Sequence, residues 1–381
     1  MIRYVKWLFV VVLAVGLTAC RSDPTGPFDL PGQGRRSSDE KNFLDPGTFP
    51  YNRIESGGVP KDGIPALTDP VRVPAGSSEA DYLRDVDLVM GVVIHGEAVA
   101  YPHNIGWHHE IVNDVVGGQP IVVSFCPLTG TGLVFNGLDA DGSRLTCGVS
   151  GLLFNNNLIM YDRRDDKTLY PQMIHKGINE PRLNQELELL PVVETTWRMW
   201  KQLYPETQVV GGFTGIFSPG QYRSYPYGGY RSPNASPMFR IFPSTGSNPI
   251  GEVFPPKELT LGVRFGETAK GYPFSVLAAQ VEGVVNDVVA GNPLAVVFYM
   301  PDRMAVPYFR EVDGQVLTLE RIDATDGLPF MLRDQETGSQ WNMRGEAVAG
   351  PLQGKRLTQV PAHNAFWFAW ATFWQDSQIY Q

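Results

Sequence analysis

The chain contains an internal repeat with a period of about 170 residues, and this repeat constrains the fold more than any other feature. The segment IVNDVVGGQPIVVSF at 111–125 recurs without a gap as VVNDVVAGNPLAVVF at 284–298, and GEAVAYP at 96–102 recurs as GETAKGYP at 266–273 with one extra residue. A repeat of this length is a whole folding unit rather than one coil of a solenoid. We therefore expect two similar lobes that arose by internal duplication of a domain.

Composition and periodicity indicate an α+β, β-rich fold with short strands and few short helices. Glycine and proline are abundant, with 40 and 31 residues among 381, which is typical of many short elements joined by tight turns. Apolar runs at 88–94, 120–125 and 152–161 predict strands. After a threonine that can cap a helix, apolar residues recur at helical spacing. The tryptophans Trp197, Trp200, Trp367 and Trp370 are expected to be core anchors of equivalent helices.

The N-terminus reads as an export signal. Arg3 and Lys6 precede an apolar run at 7–17 that is too short to span a membrane, and the run ends in LTAC at 17–20. This ending resembles the bacterial lipobox, in which the cysteine is acylated and becomes the new N-terminus.

We expect the signal peptide to cover 1–19 and a lipid on Cys20 to anchor the mature chain. Such a protein partitions into detergent and belongs to the cell envelope, at a membrane facing the periplasm or the exterior. Arg21 after the acylated cysteine favours the outer membrane in a bacterium that has one.

Composition shifts predict the remaining boundaries. A stretch rich in proline, glycine, serine and charge, without apolar periodicity, follows the signal and reads as a flexible tether. Between the two copies lies YRSYPYGGY at 222–230, which reads as part of a connector whose rings cover a seam, or alternatively as an aromatic surface that stacks on sugars. The predicted segments are 1–19 (signal), 20–62 (tether), 63–210 (first lobe), 211–256 (connector) and 257–381 (second lobe).

Charge excludes one class of partner. The chain has 31 basic and 40 acidic residues, a formal net charge of −9, and it lacks a basic stretch that could neutralise a row of phosphates. We expect no nucleic acid, a membrane contact through the lipid, and a small-molecule or thiol partner of unknown identity.

The differences between the two copies point to a candidate site in the first lobe. Positions shared by both copies, such as Asn113 with Asp114, are expected to be structural. Copy one carries His109, Cys126 and Thr129 where copy two has Glu282, Tyr299 and Asp302. Reactive chemistry is therefore expected in the first copy alone.

Cys126 is the expected functional centre, as a partly accessible thiol at the end of a strand. Its thiolate would need a nearby hydroxyl or imidazolium, which Thr129 and either His108 or His109 could supply. These four residues are the predicted catalytic group of a candidate thiol-dependent oxidoreductase.

The chain resembles the bacterial domain of unknown function 3179 from about Asp62 to Trp374. The resemblance is carried by DGIPALTDPV at 62–71, WHHEIVNDVVGGQP at 107–120, CPLTGTGLVF at 126–135, GVSGLLFNNNLIMYDR at 148–163, and the closing GPLQGKRL and FWFAW. Relatives typically have Cys-Pro-Leu-Cys where this chain has CPLT, and some are described with selenocysteine at the first position. The resemblance thus implies redox chemistry at Cys126, here with one thiol.

Three alternatives remain open for this site. Cys126 and Cys147 could form a structural disulfide, and Cys147 alone reads as an inert core thiol. No cofactor is required by the sequence, but His108, His109 and Cys126 could bind copper or zinc. The alternative function is that of a non-enzymatic envelope lipoprotein that binds copper or zinc, a ligand or a partner.

Overall fold

The computed structural model describes residues 49–139, 141–281 and 283–381. Within these residues the fold is β-rich, as predicted, with twenty-eight strands and five α-helices of at most seven residues. None of these helices is both long and apolar enough to cross a bilayer. The predicted signal at 1–19 and lipidated Cys20 lie outside the described residues, as does Glu282.

The strands in chain order are β1 Ile54–Ser56, β2 Leu67–Thr68, β3 Arg72–Pro74, β4 Leu88–Ile94, β5 Glu97–Pro102, β6 Ile111–Val116, β7 Gln119–Cys126, β8 Thr131–Asn136, β9 Cys147–Phe154, β10 Asn157–Asp162, β11 Leu169–Pro171, β12 Leu189–Leu190, β13 Val193–Thr196, β14 Gln208–Val210, β15 Leu259–Phe265, β16 Thr268–Pro273, β17 Gly283–Val289, β18 Asn292–Tyr299, β19 Met304–Phe309, β20 Glu311–Val312, β21 Gln315–Val316, β22 Leu319–Ile322, β23 Met331–Asp334, β24 Gln340–Trp341, β25 Ala347–Ala349, β26 Thr358–Gln359, β27 Ala362–Phe366 and β28 Gln378–Ile379. The α-helices are α1 His103–His109, α2 Trp197–Leu203, α3 Pro219–Tyr222, α4 Phe274–Ala278 and α5 Trp367–Phe373. Short 3₁₀ turns cover Tyr51–Arg53, Ser78–Ala80, Gly228–Arg231, Thr245–Ser247 and Met300–Asp302.

The strands before residue 211 form three sheets, with the orders β1-β9-β10-β11, β12-β8-β7-β6-β2 and β13-β4-β5-β14-β3. The strands after residue 258 form three further sheets, β27-β15-β16-β28, β17-β18-β19-β26 and β22-β23-β24-β25, and the hairpin β20-β21. The segment 211–258 between them carries α3 and 3₁₀ turns but no strand.

The sheets of the two halves have matching strand orders. In β13-β4-β5-β14 the first two pairs are antiparallel and the last is parallel, and β27-β15-β16-β28 follows the same pattern. Val123 on β7 pairs with Val112, and Val296 on β18 pairs with Val285, at corresponding positions of the repeat.

The shared asparagines join strands of different sheets. Asn113 accepts from the backbone N–H of Cys147 at 2.7 Å and donates to its carbonyl oxygen at 3.0 Å. Asn286 exchanges the same two bonds with Leu319, at 3.0 and 2.7 Å. Their role is structural, as expected, although they cap no helix and instead link the start of β9 to β6 and the start of β22 to β17.

The fold begins before the expected end of the tether at residue 62. Phe49 is buried against Phe154, with ring centroids 4.8 Å apart, and Ile54 on β1 pairs with the same residue of β9. The sequence of this stretch has no apolar period because a three-residue edge strand is too short to show one.

The four tryptophans predicted as core anchors are buried, at most 3% exposed. Trp200 on α2 lies over Gly91, and its indole N–H donates to Thr207 Oγ1 at 2.8 Å. Trp370 on α5 lies over Gly262, and its indole N–H donates to Ser377 Oγ at 2.9 Å. Each indole therefore connects a helix, the sheet beneath it and the chain that enters the parallel strand of that sheet, β14 or β28.

The halves also contact each other directly through the edges of their sheets. The backbone N–H of Phe366 donates to the carbonyl oxygen of Thr129 at 2.8 Å, and Thr195 Oγ1 donates to the carbonyl oxygen of Asp302 at the same distance. Because the turn after β7 meets the end of β27, while the turn after β18 meets β13, each half contributes to the surroundings of the other.

We predict that Gly91→Ala destabilises the fold by roughly 2–3 kcal/mol. A Cβ at this position would lie 2.1 Å from the Trp200 ring, so the helix or the strand must shift. Urea unfolding followed by near-ultraviolet circular dichroism measures the effect. Gly76→Ala is the matched control, since a Cβ there meets nothing within 4 Å. Equal unfolding midpoints for the two variants would contradict the prediction.

Candidate functional site

Cys126 ends β7 and opens the tight CPLTG turn into β8. The backbone N–H of Gly130 donates to the carbonyl oxygen of Cys126 at 2.9 Å, and Gly130 has φ of 64°, which favours glycine. A Cβ on Gly130 would also lie 2.9 Å from the Phe366 ring. The turn is thus fixed closely against the end of β27.

The Cys126 thiol is buried rather than partly accessible. The residue is 1% exposed and its sulfur donates to the carbonyl oxygen of Asn156 at 3.4 Å. Burial raises the pKa of the thiol to about 11, and the neighbouring Glu110 carboxylate acts in the same direction. At neutral pH the sulfur therefore carries its proton. The expected exposure was wrong because the connector and the 155–157 turn cover the strand end.

Thr129 lies beside the thiol, as the spacing indicates. Its hydroxyl hydrogen-bonds to the Cys126 side chain and lowers the pKa of the thiol, though less than burial raises it. The same hydroxyl accepts from Asn157 Nδ2 at 3.0 Å and lies 2.8 Å from Thr131 Oγ1. Its catalytic role stays a prediction.

The two predicted histidines face the connector. His109 Nδ1 lies 2.6 Å from the carbonyl oxygen of Pro65, and its Nε2 lies 2.6 Å from the Tyr222 hydroxyl. Burial lowers the pKa of His109 to about 4. His108 packs its ring against Phe217 and Tyr222, and burial lowers its pKa as well. Neither ring is held as an imidazolium, so neither supplies the expected cation.

Glu110 is the acidic group that affects the thiol, and sequence reasoning did not single it out. It follows α1 with φ of 56°, and its backbone carbonyl accepts from Phe125 N at 2.7 Å, which places it beside the end of β7. It makes no ion pair with the residues that the structure describes, and burial raises its pKa to about 8. A positive φ at a residue other than glycine can mark a functional position, and it is visible in the backbone geometry but not in the sequence.

Lys257 is the cation nearest to this cluster. Its ammonium lies 3.4 Å from the centre of the Tyr230 ring, and the Tyr230 hydroxyl donates to the carbonyl oxygen of Leu128 in the CPLTG turn at 2.9 Å. Burial lowers the pKa of Lys257 to about 7, whereas a charged Cys126 would raise it. The side chain has no hydrogen-bond partner among the described residues.

The disulfide alternative is not realised, because Cys126 and Cys147 are both free thiols. Cys147 is fully buried at the start of β9, as an inert core thiol would be. Copper or zinc binding by His108, His109 and Cys126 stays a prediction. Across the described ranges, no three His, Cys, Asp or Glu side chains are grouped closely enough to hold a metal ion.

A cavity of about 440 Å³, here called the central cavity, opens beside the CPLTG turn where corresponding residues of the repeat meet. Leu88 and Leu259, the first residues of β4 and β15, both line it, as do His103 and Phe274, which follow the matching prolines of β5 and β16. Its aromatic wall consists of Trp107, Phe125, Tyr225, Phe274 and Phe366. Its size and lining are those of a small-molecule site.

The carboxylates of the central cavity already have partners. Glu194 lies 3.6 Å from His103 Nε2 and accepts from Asn364 Nδ2 at 3.0 Å. Glu258 accepts from the backbone N–H of Ser275 at 2.7 Å.

The cations of the central cavity lack acidic partners. Lys257, Arg231 and Arg303 all line the cavity, and none forms an ion pair with a residue in the described part of the chain. The Arg231 guanidinium lies over the Tyr225 ring at 3.7 Å. Burial, and less strongly Arg303, lower the pKa of Arg231. The cavity thus contains three cations that form no ion pair with a described residue, beside two carboxylates that are hydrogen-bonded to other groups.

We predict that Glu110→Gln gains stability relative to wild type as the pH rises. Because the pKa of Glu110 is raised from 4.5 to about 8, the folded chain favours the protonated carboxyl, and stability from this group is lost between those values. Between about pH 5 and about pH 7, the difference in unfolding free energy should change by about 2–3 kcal/mol in favour of the variant. Urea denaturation at each pH provides the measurement.

The exposed Glu206→Gln substitution controls for the loss of one carboxylate elsewhere. If the Glu110→Gln difference stays constant over this pH range, the side chain ionises in the folded protein as it does in the unfolded one, and the interpretation fails.

The family comparison agrees with the resemblance seen in the sequence. The family model described as "Protein of unknown function (DUF3179)" matches residues 61–377, which include the CPLTG turn, the connector and every strand except β1 and β28. Neither the curated proteins nor the solved structures contain a match to this chain. Since the family model covers well over half of the sequence, the chain belongs to the DUF3179 family of proteins of unknown function.

Proposed function

We propose that the protein binds a small organic anion in the central cavity. One observation carries this proposal: the cavity's three cationic side chains, Lys257, Arg231 and Arg303, form no ion pair with a described residue, whereas its carboxylates, Glu194 and Glu258, accept hydrogen bonds from Asn364 and from the backbone of Ser275. Uncompensated charge at a partly buried site is costly, and a bound anion would offset that cost.

The walls of the cavity narrow the class of ligand. Aromatic rings form much of its surface and favour an apolar or aromatic body, while the guanidinium of Arg231 suits a carboxylate. A volume of about 440 Å³ accommodates a molecule the size of an aryl carboxylic acid. Binding such a ligand without converting it is the non-enzymatic function that the sequence leaves open for an envelope lipoprotein, as the alternative to a thiol-dependent oxidoreductase.

We predict that phenylacetate binds the mature protein and that Arg231→Gln raises its Kd about tenfold. The substitution removes a charged donor but keeps a polar side chain of similar length. Isothermal titration calorimetry measures both affinities. Arg223→Gln, on the same connector but outside the cavity, is the matched control and should bind as wild type does.

Neutral phenylacetamide tests the role of charge directly. It should bind at least about tenfold more weakly than phenylacetate, because it offers the cations no carboxylate. Equal binding of the amide and the acid would contradict the proposal.

A one-thiol redox role of Cys126 is the second candidate. Glu110 and Lys257 are both coupled electrostatically to the thiol, and each ionises near neutral pH. Such groups can accept or return a proton during thiol chemistry. Phe125, Pro127 and Gly130, which flank the thiol and its turn, line the central cavity and offer a route for a small oxidant.

We predict that Cys126→Ser abolishes peroxide consumption driven by a small thiol reductant, while Cys147→Ser retains it. A peroxide would oxidise the thiol to a sulfenic acid with release of water or an alcohol. Two equivalents of the reductant thiol would then reduce the sulfenic acid to the Cys126 thiol, and the products would be the disulfide of the reductant and water. Peroxide loss is measured in the mature protein. Retained activity in Cys126→Ser, or equal loss in both variants, would rule this role out.

We further infer an exported, lipid-anchored protein whose halves arose by duplication. The location is supported by the LTAC sequence that ends in Cys20. The duplication is supported by the repeated segments together with the matching strand orders of β13-β4-β5-β14 and β27-β15-β16-β28.

A further inference from the structure

A second cavity, here called the Trp374 cavity, lies between β15, β27 and the chain after β11. It measures about 260 Å³, and its lining includes Met173, His175, Arg264, His363 and Trp374. It lacks an acidic side chain in its lining, whereas four of these five residues carry nitrogen. The site is separate from the central cavity and shares no lining residue with it.

The hydrogen bond between Arg264 and His175 fixes the tautomer of the histidine. Arg264 Nη2 lies 2.8 Å from His175 Nε2, and because a guanidinium can only donate, Nε2 is the acceptor. Burial, followed by the charge of Arg264, lowers the pKa of His175 to about 3, so the ring is neutral. Its proton therefore lies on Nδ1, which is buried and has no acceptor among the described residues.

Trp374 supplies a second donor without an acceptor. The residue is only 7% exposed, and its buried indole N–H has no hydrogen-bond partner within the described residues. By contrast, the indole N–H of Trp370 one turn earlier is bonded to Ser377. An indole nitrogen can only donate, so this group requires an acceptor from outside the protein.

Arg264 completes the donor set, and His363 adds a nitrogen that donates in one of the two tautomers of its neutral ring. His363 is 9% exposed, and its Nε2 is buried without a partner in the part of the chain that the structure describes. Burial lowers the pKa of His363 to about 3, with smaller contributions from His175 and Arg264. Arg264 stacks on the Trp374 ring at 4.5 Å and forms no ion pair with a described residue.

The charged groups around the cavity do not neutralise Arg264 by direct contact. Glu186 is paired with Lys176 at 3.0 Å, and Glu267 lies on an exposed turn, so both influence the guanidinium only through space. The combination of one cation, orphan donors and no carboxylate calls for a ligand that only accepts hydrogen bonds and carries negative charge.

We propose that the Trp374 cavity binds a small oxyanion of the phosphate or sulfate class, held by Arg264, His175, His363 and Trp374. The volume is below that of most organic ligand sites and suits an anion of this size with a few waters. Oxyanion oxygens would accept from the orphan N–H groups and from the guanidinium.

Phosphate titration of the ¹⁵N-labelled mature protein tests the site, with the Trp374 indole N–H signal as the reporter. We expect a saturable shift of this signal, and an affinity about tenfold lower in Arg264→Gln. Trp374→Phe assigns the signal. If Arg264→Gln does not fold, Arg264→Lys keeps the charge, loses the planar donor fork and should still weaken binding.

Arg344→Gln is the matched control, because Arg344 also lies over an aromatic ring, that of Tyr204, but is paired with Glu346 at 2.5 Å. It should bind phosphate as wild type does. The Trp107 indole N–H reports on the central cavity, so binding there cannot be mistaken for binding here.

Sulfate and acetate form the other arms of the experiment. Saturable shifts with phosphate or sulfate and weaker ones with acetate support the proposal. A stronger response to acetate would place a carboxylate in the cavity and overturn the assigned class. The absence of a saturable shift, or an equal response in Arg264→Gln, would overturn the site itself.

Discussion

The packing of Trp200 on Gly91 and of Trp370 on Gly262 determines the position of the surrounding elements. Each indole covers a strand that lacks a side chain at that point, and each donates its N–H to a hydroxyl just before the parallel strand of the same sheet. A helix of seven residues cannot be stable in isolation, so its position depends on this contact. Once both helices are fixed, β13 and β27 extend towards the opposite half of the molecule.

This arrangement produces the central cavity. The turn after β7 meets Phe366, and the turn after β18 meets Thr195, so the ends of four strands converge. Side chains at corresponding repeat positions point to the same space, but they differ in chemistry. His103 and Phe274 illustrate the difference, since one can pair with Glu194 and the other contributes only an aromatic surface.

Burial controls the electrostatics of the candidate sites more than ion pairing does. Lys257, Glu110 and His109 each have a pKa displaced by desolvation towards the neutral form. The Cys126 thiol follows the same rule, since the hydrogen bonds from Thr129 and from the Leu158 backbone do not compensate for the lost hydration. Binding of an anion beside Lys257 would favour its ammonium, so ligand binding and protonation of the cluster are linked.

The sequence by itself determined the β-rich class, the matching of 111–125 with 284–298, the core tryptophans and the turn that carries Cys126, because periodicity, spacing and turn residues are local properties. It could not show which way the rings of His108 and His109 face. Only the tertiary structure decided that the connector buries the thiol and that Glu110 and Lys257, 147 residues apart in sequence, both lie near it. It also decided that Arg231 and Arg303 form no ion pair with a described residue. These outcomes depend on desolvation and on contacts between distant segments, which no local pattern encodes.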